Sequence, residues 1–169
     1  MNENIVFMDG EFAKLKPDGI DLLSIALIKT TGEELYLELD HKGKIGEWEK
    51  KNVIPKFNQS KVSKKEAVKL IKEFIGKEKP YIVAYVNQFD WMGICKLFGV
   101  KDVKGISEMP FKWIPIDFAS ILFGRGIKVS ETKMMEIAKK YNISTSKDEE
   151  HNALSDARVL KKLYERIMQ

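Results

Sequence analysis

The alternation of apolar and polar positions predicts three hairpin-connected strands at the start of the chain. The run from Ile5 to Met8 combines β-branched and aromatic residues and is typical of a buried strand, which we expect to continue through Glu11. The run Leu22 to Lys29 predicts a second strand, and leucines at every second position from Leu35 to Leu39 predict a third. Short turn sequences separate the three runs, at 16–19 and 30–33. The pattern therefore favours an antiparallel meander.

Helical periods and short strands alternate in the rest of the chain. Ser63 and Glu66 form a capping-box sequence, and the apolar stripe that follows stops at Gly76, so we predict a helix between them. The segment 41–59 has no clear period, and we expect four apolar side chains to anchor it to the body, namely Trp48, Val53, Ile54 and Phe57. Two further strands are predicted, at Tyr81–Val86 and Trp113–Ile116. Four further helices are predicted, at Asp90–Phe98, Asp117–Phe123, Ser130–Tyr141 and about Ala153–Ile167, and Ser130 is the predicted cap of the third. This order predicts an α/β domain with a mixed central β-sheet, an antiparallel meander plus parallel strands, flanked by α-helices.

Length and composition narrow the class of protein. The chain has 169 residues, 44% of them hydrophobic, and no shift in composition marks a linker, so we predict a single domain over residues 1–169. Its formal net charge of +4 is mildly basic and compatible with a polyanionic partner. A single cysteine, Cys95, excludes an intramolecular disulfide framework. Because there is no signal-peptide pattern and no apolar run of the roughly 20 residues that span a bilayer, we expect a soluble cytoplasmic protein without a membrane partner.

Four carboxylates and one histidine are the candidate chemistry. Asp9 and Glu11 are two positions apart on the first strand, so both side chains face one side of the sheet, where they repel each other unless a cation binds. Asp90 follows an apolar strand, at the end where α/β sheets collect ligands. Asp156 lies on the same side of the last helix as core-facing apolar positions, which is costly for an unpaired carboxylate. The ordinary alternatives are a solvated turn for the first pair, a helix N-cap for Asp90, a solvated helix face for Asp156 and a surface position for His151.

In combination, these residues form three motifs that resemble those of the DEDDh 3′–5′ exonucleases, the proofreading-exonuclease superfamily with a ribonuclease-H-like fold. The D-x-E motif is met by Asp9-Gly10-Glu11. The second motif is met by Asn87-Gln88-Phe89-Asp90, whose spacing between Asn and Asp is one residue shorter than usual. The third and most specific motif, H-x-A-x-x-D-A, is matched throughout from His151 to Ala157. Within the superfamily, the segments 20–27 and 89–99 look like the mycobacterial-type exoribonuclease subgroup.

This resemblance implies a ribonuclease-H-like fold and a metal-dependent hydrolysis of phosphodiester bonds with two Mg²⁺ or Mn²⁺ ions. It implies that Asp9 bridges both ions and that Asp90 helps to place the second ion. Glu11 and Asp156 are then implied to hold the ion beside the attacking water. Oxygen ligands of this kind suit these hard cations. His151 is implied as the general base, a role that suits imidazole because its unperturbed pKa of about 6.5 lies near working pH.

The partner that the resemblance implies is single-stranded nucleic acid, with RNA favoured and hydrolysis proceeding from the 3′ end. Candidate contacts with the terminal nucleotide are the backbone around Gly10, the ring of Phe12 and Asn87, and plain core packing is the alternative for Phe12. The backbone path is left open between two groups of lysines, Lys61, Lys64 and Lys65 or Lys139, Lys140 and Lys147. The subgroup resemblance also implies a homodimer, for which the exposed-aromatic candidates are Trp48 and Trp113.

Three other functions stay open at the level of sequence. A DNA-trimming or proofreading exonuclease of the same fold differs in how its site treats the 2′-hydroxyl, which no short motif encodes. An inactive exonuclease-like module would bind nucleic acid without hydrolysing it. Such a module would not need all four carboxylates and the histidine. A scaffold protein with incidental acidic residues would show no site-specific binding of divalent metal.

Overall fold

The computed structural model of the chain describes residues 4–14, 20–129, 133–146 and 150–168, with a five-stranded sheet at its centre. The strands are β1 Ile5–Phe12, β2 Leu22–Lys29, β3 Glu34–Glu38, β4 Tyr81–Ala84 and β5 Ile116–Asp117. Their order across the sheet is β3-β2-β1-β4-β5. Strands β1, β2 and β3 pair antiparallel, whereas β4 pairs parallel with both β1 and β5. The predicted mixed sheet, a meander plus parallel strands, is therefore confirmed.

The connections agree with the predicted meander where the structure describes them. Between β2 and β3, the backbone N–H of Gly32 donates to the Lys29 carbonyl at 3.0 Å, and Gly32 has a φ of 97°, a conformation that glycine adopts without steric cost. The turn predicted at 16–19 lies outside the described residues. The pairing of β4 with β1 runs from Ile5 to Phe7, so the carboxyl-end half of β1 extends beyond β4.

Helices cover the sheet. Within the described residues they are α1 Glu47–Asn52, α2 Lys64–Ile75, α3 Gln88–Leu97, α4 Val103–Ser107, α5 Phe118–Gly124, α6 Met134–Lys140 and α7 Ala153–Met168, with a 3₁₀ helix at Ile54–Lys56. The predicted cap of α2 is formed, since the Ser63 hydroxyl accepts the Glu66 backbone N–H at 3.2 Å and Gly76 ends the helix with a φ of 76°. None of these helices combines the length and the apolar character needed to cross a bilayer.

Three predicted segments differ from the structure beyond shifts of one or two residues at a boundary, and helix α4, Val103–Ser107, has no predicted counterpart. Helix α6 begins at Met134, and its predicted cap Ser130 lies outside the described residues. The strand predicted at 113–116 is observed at Ile116–Asp117, so the two overlap only at Ile116. The segment 41–59 contains α1 and the 3₁₀ helix, and although Val53 is buried there, Trp48 is 52% exposed and does not anchor the segment as predicted. Elements of three to six residues are too short for a hydrophobic period to reveal them.

Strand β1 contributes to the hydrophobic cores on both faces of the sheet. Phe7 packs with apolar side chains of α5, α6 and α7, whereas Val6 and Met8 pack with those of α2 and α3. Because side chains alternate along a strand, Asp9 and Glu11 continue the row of Phe7 towards α7. Burying a side chain such as Phe7 contributes roughly 1.5–3 kcal/mol, so a shift of the register by one residue is unfavourable. The core therefore fixes the direction of the two carboxylates.

Candidate active site

The carboxyl-end half of β1 lies against the start of α7, and this contact forms the centre of the site. One ligand atom each of Glu11, His151 and Asp156 lies within 4.8 Å of the other two. Glu11 is only 9% exposed and the strand continues past it, so the solvated-turn alternative for the D-x-E motif is wrong. Burial, followed by repulsion from Asp156, Asp90 and Glu11, raises the pKa of Asp9 well above its usual range. The four carboxylates therefore form one electrostatic group, hereafter the acidic cluster.

Asp90 reaches the acidic cluster from α3. This helix begins at Gln88 with Asn87 as its N-cap residue, so Asp90 lies in the first turn and is not itself the cap. Its side chain is 6% exposed. A Cβ atom on Gly10 would lie 3.3 Å from Asp90 Oδ1 and only 2.7 Å from Leu22 Cδ2. The glycine in the middle of the D-x-E motif therefore allows α3 to bring Asp90 against β1.

The acidic cluster is electrostatically strained without a cation. Burial raises the pKa of Glu11 to about 8, with further repulsion from Asp156 and Asp90. Burial likewise raises the pKa of Asp90 to about 8 and that of Asp156 to about 7. Two buried oxygens, Asp90 Oδ1 and Asp156 Oδ1, have no hydrogen-bond partner among the described residues. Mutually repelling carboxylates with unpaired oxygens fit a divalent cation that prefers oxygen ligands.

His151 is held against the acidic cluster at the start of α7. Its backbone N–H donates to Asp156 Oδ2 at 3.2 Å, and its φ of 64° lies in the left-handed region, which few non-glycine residues adopt. The imidazole lies edge-on to the indole of Trp48, with ring centroids 4.8 Å apart. Burial, followed by the positive charge of Lys56, lowers the pKa of His151, which favours a neutral imidazole able to accept a proton. His151 is therefore partly buried beside the acidic cluster, and its catalytic role stays a prediction.

Two neighbours of His151 were not among the predicted site residues. Lys56, at the end of the 3₁₀ helix, donates a hydrogen bond from its ammonium to the backbone carbonyl of Glu150. Its charge also lowers the pKa values of Glu11 and Asp156, which burial raises. Trp48 was predicted only as an anchor or a dimer contact. Both residues lie in the segment without a hydrophobic period and outside the family motifs, so the sequence carried no signal for them.

The predicted substrate residues belong to the two elements that carry three of the four carboxylates, since Gly10 and Phe12 lie on β1 and Asn87 is the N-cap residue of α3. Gly10 lies on β1 between the two carboxylates of its motif. The ring of Phe12 is half-buried, and its Cε1 atom lies 3.0 Å from where a Cβ on Gly93 would be, so part of the ring packs in the core. Asn87 is buried, and its Nδ2 has no hydrogen-bond partner among the described residues. The roles of these three residues stay predictions.

The lysines predicted for the backbone path are exposed where the structure describes them. Lys64 donates to Asp21 Oδ1 at 3.2 Å, and the Lys61 ammonium lies 5.8 Å from the centre of the Phe57 ring. Lys65, Lys139 and Lys140 are exposed, and Lys147 lies outside the described residues. The choice between the two groups stays open. Among the described lysines, Lys56 lowers the pKa of both Glu11 and Asp156 through its positive charge.

Known proteins resemble this chain in family and in fold. A family model described as the 3′-5′ exoribonuclease Rv2179c-like domain matches residues 4–168. Among solved structures, E. coli exonuclease I in a complex with single-stranded DNA aligns with a TM-score of 0.74 at 15% identity, over 99% of this chain and 40% of that chain. Exonuclease I from Methylocaldum szegediense gives a TM-score of 0.74 at 15% identity, over 98% and 40% of the two chains. A full-length 3′-exonuclease gives a TM-score of 0.69 at 14% identity, over 99% and 82% of the two chains.

These similarities establish the fold. The chain spans about two fifths of the exonuclease I chains it matches, and at 15% identity the likeness concerns architecture alone. The predicted ribonuclease-H-like exonuclease fold, with its mixed sheet and flanking helices, is confirmed. A comparison with curated proteins gives no match.

Proposed function

The chain belongs to the Rv2179c-like family of 3′–5′ exoribonuclease domains, and on that premise we propose that it hydrolyses single-stranded RNA from its 3′ end with two Mg²⁺ or Mn²⁺ ions. The observation that carries this proposal is the acidic cluster, four carboxylates gathered from β1, α3 and α7 with a histidine beside them. A binding-only module would have no need for this repulsive arrangement, which lowers the stability of the protein without a cation.

The acidic cluster would hold the metal ions in the way the family motifs imply. Asp9 is repelled by each of the other three carboxylates, as expected for a ligand shared between two ions. Glu11 and Asp156 lie beside His151, so they would hold the ion next to the attacking water. Asp90, on the α3 side, would help to hold the second ion. When bound, such ions lower the pKa of water and balance the charge on the leaving oxygen.

His151 acts as the general base in this proposal. Its lowered pKa keeps the imidazole neutral near pH 7, so a ring nitrogen can accept the proton of the attacking water. The hydrogen bond from its backbone N–H to Asp156 fixes the residue beside the carboxylates. The same geometry would also permit His151 to be a metal ligand, and the two roles differ in how a variant responds to added metal.

We propose that the terminal nucleotide binds beside β1 and His151. The backbone at Gly10 and the exposed part of Phe12 lie on the strand. The side-chain amide of Asn87 is buried, so we assign it no contact with the nucleotide. Trp48 presents half of its indole to solvent next to His151, which suits stacking on a base, since stacking on aromatic side chains is worth about 1–3 kcal/mol. Stacking tolerates any base, as expected of an enzyme that trims strands of varied sequence.

The preference for RNA rests on the family, whose description names exoribonucleases. Trimming of DNA is the alternative, because one of the similar structures, E. coli exonuclease I, is in a complex with single-stranded DNA. The test is incubation with RNA and matched DNA strands, each labelled at the 3′ or the 5′ end. We expect release of mononucleotides from the 3′ end and faster loss of RNA. Equal or faster loss of DNA would favour the alternative, and internal cuts without dependence on an end would contradict an exonuclease.

We also propose that the chain forms a homodimer, as its subgroup resemblance implies. Trp113 and Ile114, which are adjacent and 67% and 49% exposed, form an apolar surface that a second copy could cover. Light scattering on the eluting protein measures the mass directly. We expect twice the mass of one chain, and a monomer at micromolar concentration would contradict the dimer.

A further inference from the structure

Lys56 connects two distant parts of the chain at the candidate active site. Its ammonium donates to the backbone carbonyl of Glu150, 94 positions later in the sequence. Glu150 directly precedes His151, so the hydrogen bond holds the peptide that leads into the candidate general base. Burial is the largest cause of the shifted pKa values of Glu11, Asp156 and His151, and the positive charge of Lys56 lowers the pKa of all three.

The base of Lys56 is fixed to the body of the protein. Val53, just before the 3₁₀ helix, is fully buried with Ala13 and Leu23. Just after the helix, the backbone N–H groups of residues 58 and 59 donate to Glu38 Oε1 at 2.7 and 3.1 Å. Glu38 is itself only 1% exposed, on the end of β3. The short helix that carries Lys56 is therefore held on both sides by buried groups.

The peptide group between Glu150 and His151 is held by two hydrogen bonds, one to its carbonyl and one from its N–H. Lys56 binds the Glu150 carbonyl, and Asp156 Oδ2 accepts the His151 N–H at 3.2 Å. The φ of 64° at His151 is unfavourable for a residue with a side chain and persists only where surrounding contacts impose it. The two hydrogen bonds are such contacts, and they orient the imidazole towards the acidic cluster.

We propose that Lys56 is a positioning residue, which keeps His151 in its catalytic orientation by holding the carbonyl of the preceding peptide. The inference rests on the proposed role of His151 as general base. Small misplacements of a catalytic group can cost about 100-fold in rate. Lys56 thus acts on the chemical step through His151 and contributes little to the binding of the strand.

The test is steady-state cleavage of RNA at saturating metal, with single-turnover cleavage to isolate the chemical step, by Lys56→Ala, His151→Ala and the double variant. We expect Lys56→Ala to lower kcat by about 10- to 100-fold with KM nearly unchanged. In the His151→Ala background the same change should have almost no further effect, because residues that act as a unit are non-additive. Lys56→Arg keeps a charged donor and should recover part of the rate. Lys51→Ala, an exposed lysine on α1, is the matched control and should behave as wild type.

Amide hydrogen exchange at His151, followed by NMR, gives a second readout that does not depend on activity. We expect Lys56→Ala to accelerate this exchange while the melting temperature stays near wild type. The inference would be overturned if Lys56→Ala lowered the cleavage rate equally in the wild-type and His151→Ala backgrounds. It would also be overturned by a raised KM with unchanged kcat, which would assign Lys56 to a substrate phosphate. Unchanged exchange would also overturn it. Wild-type turnover by His151→Ala would instead refute the general base, and the exchange would still decide whether Lys56 holds the peptide.

Discussion

At the scale of single residues, the site consists of carboxylates that are harder to ionise because they are buried. Burial and the charges of Asp156, Asp90 and Glu11 all raise the pKa of Asp9. Its negative charge is unfavourable for the fold and useful only for binding a cation. Function and stability therefore respond to its removal in opposite directions.

We predict that Asp9→Asn lowers turnover by more than about 100-fold. Loss of a residue that only orients a metal ligand already costs about 10- to 100-fold in activity or metal affinity, and Asp9 would itself be a ligand. In EDTA at pH 8, the same variant should be more stable than wild type by about 1 kcal/mol or more, the free energy of one pKa unit. The measurements are initial rates and urea unfolding. Asp40→Asn, at an exposed position, is the control and should change neither. Normal turnover by Asp9→Asn would contradict its assignment.

His151 differs from the carboxylates in what its loss should remove. We predict that His151→Ala lowers single-turnover cleavage by about 10²- to 10⁴-fold, the usual contribution of a general base. Calorimetry should show metal affinity near wild type, because the four carboxylates remain. Recovery of the rate at high Mn²⁺ would show that His151 is a metal ligand instead. A rate equal to wild type would show that it has no catalytic role.

At the scale of secondary-structure elements, the site depends on the close approach of α3 to β1 at Gly10. We predict that Gly10→Ala destabilises the protein by about 1–3 kcal/mol, because the new methyl group meets the buried Leu22 and the Asp90 carboxylate. Turnover should fall as Asp90 is displaced. Gly124→Ala is the matched control, since a Cβ there meets no described atom within 4 Å and should be neutral or slightly stabilising. Wild-type stability and turnover in Gly10→Ala would show that the contact at this position is unimportant.

The secondary-structure elements differ in how accurately the sequence predicts them. Strand β2 was predicted with its observed bounds, because a long apolar run with β-branched residues has few alternatives. The capping box of α2 was predicted for a similar local reason. Helix α1 and the 3₁₀ helix were missed since their position depends on tertiary contacts, above all the buried Glu38. The motif residues of the site were found from the family pattern, whereas Lys56 binds a peptide 94 positions away that no local pattern reveals.

At the scale of the whole molecule, the acidic cluster couples stability to pH and to metal. The folded-state pKa of about 8 for Glu11 and Asp90, and about 7 for Asp156, exceeds the value near 4 in an unfolded chain. At a pH between about 4 and 8, the metal-free folded protein therefore binds more protons than the unfolded chain does. Its free energy of unfolding therefore falls as pH rises from about 4 to 8.

We predict that in EDTA the melting temperature falls between pH 5 and pH 8, and that Mg²⁺ or Mn²⁺ raises it again at pH 8 by binding the folded state. Glu11→Gln should weaken the pH dependence, because it removes one of the titrating groups. Scanning calorimetry at a series of pH values measures both effects. A metal-free melting temperature that rises over this interval would contradict the electrostatic account of the site.

The central claim is that the acidic cluster makes this chain a metal-dependent exonuclease, and the most direct test is hydrolysis of a 5′-labelled RNA strand with and without chelator. The account predicts a ladder of products shortened from the 3′ end in Mg²⁺ or Mn²⁺ and complete loss of hydrolysis in excess EDTA. It also predicts full recovery when metal is restored, and hydrolysis by Asp9→Asn that is more than about 100-fold slower than by wild type in the presence of metal. Undiminished cleavage in excess EDTA would contradict the claim.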